Sequence, residues 1–126
     1  MKRLAMVGAI LLSSLAPLGA HHSFEAEFDA GKTQTLKGVV TKVDWVNPHA
    51  YIFFTMKDAK GDVQSFKVEL GPPYALTRSG WKRDTVKIGD TITVENAAMA
   101  KDGSNYAGAT RDTALVIASG ERLVMR

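Results

Sequence analysis

The sequence predicts an all-β fold with a small α contribution, and three observations carry that prediction. Apolar residues recur with a period of two in several short runs rich in Val, Thr and aromatic residues. Segments rich in Gly, Asp and Lys separate those runs, and one short proline-led segment with helical character interrupts them.

Residues 33–46 read as one long strand, with Leu36, Gly38 and Val40 on one parity and Val43 and Trp45 on the other. The change of phase beside a glycine predicts a bulge or a sharp coil. Asn47 and Pro48 end this strand. Residues 51–57 form a second, apolar on both faces at Ile52, Phe53 and Phe54, and residues 58–62 form a hairpin loop in which Gly61 can take the positive-φ position. Phe66, Val68 and Leu70 alternate with Ser65, Lys67 and Glu69, which gives a third strand with one buried face. Gly71, Pro72 and Pro73 stop it. Residues 73–78 then suit a short helix with proline in its first turn, closed by Gly80 and followed by Trp81, which is expected to plug a barrel end. A fourth strand is expected over 91–99 with Ile92 and Val94 inward, a turn over 101–105, a fifth strand over 110–117 and a short final strand over 122–125. Three meandering strands, a helix and two further strands is the order of an OB-like five-stranded barrel. An open β-sandwich is the alternative.

The N-terminus reads as an export signal. Met1, Lys2 and Arg3 give a basic start, residues 4–15 an apolar run, and residues 16–20 a small-residue end containing Pro17 and Gly19. About 20 apolar residues are needed to cross a bilayer, and Pro17 cuts this run short, so cleavage after Ala20 is favoured over a retained anchor. The expected organisation is a signal peptide over 1–20, an arm over 21–32 that docks through Phe24 and Phe28, and a barrel over 33–126. A periplasmic or secreted protein with no stable membrane anchor follows.

Removing the signal changes the charge. The whole chain carries 16 Lys plus Arg against 13 Asp plus Glu. Without Lys2 and Arg3 the balance is 14 against 13, and no cluster of basic and aromatic residues remains of the kind that nucleic-acid grooves use. Cysteine is absent, which excludes disulfides, thiol catalysis and Cys-ligated metals. No Ser/His/Asp order, phosphate loop or zinc-hydrolase motif is present, so the chain is not expected to be an enzyme.

The three histidines carry the functional expectation. Cleavage after Ala20 makes His21 the first residue, and an N-terminal histidine can chelate one metal ion through its α-amine and imidazole together. The amine loses its proton near neutral pH, and nitrogen-only sites suit copper, which heads the affinity order for divalent first-row ions. His22 or His49 would supply a further imidazole. Adjacent solvated histidines marking the start of a mature chain are the plainer alternative. Trp45, Asn47 and Tyr51 flank His49 in the loop between the first two strands, where OB barrels often hold ligands. They define the competing expectation, a module for a non-metal ligand or a protein partner. A proline turn with core aromatics, in which His49 caps a carbonyl, is its structural counterpart.

These motifs resemble the small exported bacterial proteins of domain-of-unknown-function family number 6152. The resemblance runs through His21-His22-Ser23-Phe24, Phe28-Asp29, Leu36-Lys37-Gly38-Val39-Val40, Trp45-Val46-Asn47-Pro48-His49 and Leu76-Thr77-Arg78-Ser79-Gly80-Trp81, ending in Gly89-Asp90. Pro73-Tyr74 departs from the Pro-Asn that similar proteins often show. The resemblance implies export and a small β domain, and it makes the two histidine motifs family features; it implies no reaction.

Overall fold

The computed structural model describes residues 19–126, with side chains from Ser23 onward, so the expected export signal lies outside the described residues except for Gly19 and Ala20. The elements run α1 (Gly19–Glu27), β1 (Phe28–Asp44), β2 (Tyr51–Lys57), β3 (Val63–Glu69), α2 (Pro73–Arg78), β4 (Thr91–Ala100), β5 (Tyr106–Gly108), β6 (Ala114–Val116) and β7 (Arg122–Val124). Five strands close in the order β1-β2-β3-β5-β4, with β1 pairing antiparallel to both β2 and β4 and with β3 and β5 parallel. This is the OB-like barrel, with its helix between β3 and β4.

β1 can pair on two sides because it bends. Leu36 and Val40 are buried while Val39 is exposed, and the register with β2 shifts between Val40 and Lys42. That bulge moves Val43 and Trp45 to the core side and accounts for the change of hydrophobic phase. The bend is tied to the 89–90 turn, where Val40 N–H donates to Asp90 O at 2.9 Å and Gly89 N–H donates to Val40 O at 2.8 Å. Glycine is required at 38, because a Cβ there would collide with the Thr55 carbonyl oxygen and come within 2.8 Å of the Phe54 ring.

Ile52, Phe54, Val68, Ile92 and Val94 fill the barrel, and Leu115 packs into the same core. Helix α2 covers one end. Leu76 is fully buried beneath it, and Trp81 is 2 % exposed with its indole N–H donating to Val124 O at 2.7 Å. Trp81 is therefore the expected plug, and Trp45 packs against it with ring centroids 6.4 Å apart.

Two expectations need correction. The strand that completes the barrel is the three-residue β5, Tyr106–Gly108, and not residues 110–117. Residues 110–113 instead form a turn, in which Thr110 N–H donates to Thr113 Oγ1 at 2.8 Å and the buried Thr113 hydroxyl donates to Asn96 O at 2.8 Å. Only residues 114–116 then return as β6, beside β4 and outside the closed barrel. β4 serves both partners because Asn96, at φ 55°, bends it between the β6 half and the β5 half.

The second correction concerns β1, which begins at Phe28 rather than at residue 33, within the segment expected as an arm. Helix α1 precedes it, and the two phenylalanines do dock. Phe28 is buried with Ala98 and Ala100, and Phe24 and Tyr106 complete this second small core.

Because Gly38 touches backbone that cannot yield, Gly38→Ala should lower unfolding free energy by about 1–3 kcal/mol. Val39→Thr on the exposed side of the same strand should stay within about 0.5 kcal/mol. Urea unfolding midpoints of the two variants check this.

Candidate functional site

The hairpin turn fixes the first part of the site. Pairing outward from the turn between β2 and β3 places Lys57 opposite Val63 and, at the far end, Tyr51 opposite Glu69. His49 enters just before β2, after a cis Asn47–Pro48 peptide. Its neighbour Ala50 is buried and locked into the ladder, donating to Gly71 O at 3.2 Å and accepting from Leu70 N–H at 2.9 Å. His49 is thereby held beside the end of β3.

β5 supplies the second part. It runs parallel to β3 with Lys67 opposite Tyr106 and Glu69 opposite Gly108. The Tyr106 hydroxyl donates to Glu69 Oε2 at 2.5 Å, while His49 Nδ1 hydrogen-bonds the other carboxylate oxygen, Oε1. A carboxylate only accepts, so Nδ1 carries the proton and donates. In the neutral ring, Nε2 is then the nitrogen that carries the lone pair. The His49 side chain is 32 % exposed and that of Glu69 13 %. The pair thus faces outward over a nearly buried carboxylate.

Aromatic and cationic groups surround it. The Lys67 ammonium lies 4.0 Å from the Tyr106 ring centroid and 5.3 Å from that of Tyr51. Burial, reinforced by Glu69, raises the pKa of both phenols, and for Tyr106 it pushes the value far above the ordinary tyrosine range. Both therefore remain neutral hydrogen-bonding groups beside the Glu69 carboxylate.

Helix α1 reaches the same edge. Phe24 and Phe28 pack over Gly108, where a Cβ would come within 2.5 Å of one ring and 2.7 Å of the other. Phe28 meets Tyr106 edge-on with centroids 4.7 Å apart, and the Arg126 guanidinium covers Phe24 at 5.0 Å. Positions 21 and 24 are one turn apart in this helix. The side chains of His21 and His22 lie outside the described ones, and among the described residues no three acidic or histidine side chains converge on a common metal position.

Of the residues expected to bind a ligand, Tyr51 joins the His49 cluster, Asn47 is exposed, and Trp45 turns its ring to Trp81. Three residues of the cluster were not expected. Glu69 and Lys67 were legible as the polar parity of the third strand, with Glu69 opposite Tyr51 and Lys67 opposite Phe53 once the hairpin is paired outward from its loop. Tyr106 had no such signal, because its strand is too short to alternate.

A family of unknown function (DUF6152) matches residues 9–109. The chain belongs to this family. The match ends just beyond β5, so it takes in all three histidines together with Glu69 and Tyr106. No curated protein and no solved structure matches the chain. Family DUF6152 carries no assigned activity.

The raised phenol pKa values have a consequence for stability. An unfolded tyrosine ionises near pH 10, while the folded ones stay protonated beyond it, so the native state binds more protons there. The contribution is intact below about pH 10 and is lost as pH rises above it. Urea midpoints measured across that range should decline less steeply for Tyr106→Phe than for the wild type.

Proposed function

We propose that this chain is an exported metal-binding protein, cut after Ala20, that holds a single copper ion between its N-terminus and His49. His21 contributes its amine and imidazole, and His49 contributes Nε2. His22 is the alternative second imidazole. The role is that of a carrier or buffer rather than an oxidant.

One observation carries this reading: Glu69 engages His49 through Nδ1, and Nε2 has no hydrogen bond among the described residues in a side chain that is 32 % exposed. Metal-binding histidines commonly donate the other ring N–H to a carboxylate, which fixes the tautomer and makes the ligating nitrogen more basic. A histidine that merely capped a backbone carbonyl would not need a carboxylate pinned from its far side by a tyrosine. Further support comes from helix α1, whose Phe24 rests on Gly108, the direct partner of Glu69 in the β3–β5 ladder. Position 21 is one helical turn away. Trp45 is used against Trp81, which weakens the case for an aromatic-walled pocket around the loop.

Titrating Cu(II) into protein that starts at His21, into the same protein with one extra N-terminal residue, and into His49→Ala tests the reading. Both changes should weaken binding tenfold or more, and the extra residue should alter the copper spin-resonance spectrum because it removes the chelating amine. Glu69→Gln should cost about 10–100-fold. Equal affinities and superimposable spectra for all would refute it.

A further inference from the structure

We propose that Tyr106 is the positioning residue that sets the two halves of this site against each other, its hydroxyl fixing the His49 half and its ring seating the N-terminal half. The inference rests on the metal-binding reading above. Two contacts of one side chain carry it. The hydroxyl holds Glu69 Oε2 at 2.5 Å while His49 takes Oε1, so the carboxylate is anchored at both oxygens and cannot rotate without breaking a hydrogen bond. The ring meets Phe28 edge-on at 4.7 Å, and Phe28 in turn packs on Phe24, with centroids 4.9 Å apart, at the end of helix α1.

Tyr106 can act as a fixed reference because its strand is held on both sides. β5 is paired on both sides, and Ala107, Gly108 and Ala109 behind it are buried, with Ala109 N–H donating to Glu69 O at 2.9 Å. Gly108 adds to this. With no side chain it lets both phenylalanine rings rest on the strand, next to the residue that pins Glu69. A Phe at 106 would serve the packing equally well. The hydroxyl is the part that the packing does not require, and it points to Glu69.

The two functions separate experimentally. In metal-free protein starting at His21, nitrogen-15 spectra of the imidazoles should show His49 as the Nδ1–H tautomer in the wild type and as a mixture of tautomers in Tyr106→Phe. The same variant should keep the wild-type circular dichroism and bind Cu(II) about tenfold more weakly in competition with a chelator. Phe24→Ala should leave the His49 tautomer unchanged, weaken copper binding and expose helix α1 to protease. A Tyr106→Phe protein with the wild-type tautomer and with affinity within twofold of wild type would overturn the inference. If His49→Ala loses copper while Tyr106→Phe does not, only this inference fails. If His49→Ala binds as wild type, this inference fails; the metal-binding reading fails with it when the extra N-terminal residue also leaves binding unchanged, and passes to His21 and His22 when that residue weakens it.

Discussion

Everything in this molecule depends on one strand pairing along both edges. β1 runs antiparallel to β2 at its C-terminal part and to β4 over most of its length. A flat strand cannot do this and close a small barrel, so the strand must coil, and the coil needs a position with no side chain. Gly38 is that position, pressed against the Thr55 carbonyl. Once the barrel is closed, β3 and β5 become neighbours, and residues remote in sequence share an edge.

The polar cluster is a product of that edge. A carboxylate placed alone in a 13 % exposed position would be costly, since a desolvated charge loses its water without replacement. Glu69 instead receives one donor from the loop before β2 and one from β5, and its neighbours Lys67 and the two tyrosines supply positive charge and polar surface. Closure brings the donors together, and the hydrogen bonds in turn tie loop, hairpin and closing strand into one unit. The N-terminal helix joins the unit through Phe24, which packs on Phe28 at the start of β1, and through Glu27 O, which accepts from Lys101 N–H at 2.8 Å.

Much of the fold was legible because hydrophobic parity is a local signal. The bent first strand, the hairpin with Gly61 at φ 85°, the proline-led helix and the Trp81 plug all follow from residues adjacent in sequence. The closing strand was not legible. Tyr106, Ala107 and Gly108 offer no alternation, and the stronger β pattern at Ala114, Leu115 and Val116 drew the assignment onto a strand that lies outside the barrel. The candidate site divides in the same way. His49 and Tyr51 stand out within a single loop motif and Glu69 faces Tyr51 once the hairpin is paired, whereas Tyr106 gains its meaning only from a parallel pairing that no local rule implies.

That parallel pairing is also a long-range one. Hairpin β2–β3 can form from neighbouring residues, but the pairing of Leu36 with Val94 and of Glu69 with Gly108 joins distant parts of the chain, and loop closure of this kind puts a β topology toward the slow end of folding. Tyr106 reaches Glu69 only when β5 has paired with β3. A partly folded chain can hold the hairpin, and even the bent β1, while Glu69 still lacks its second anchor. The complete cluster around His49 therefore requires a long-range strand pairing that the hairpin alone does not supply.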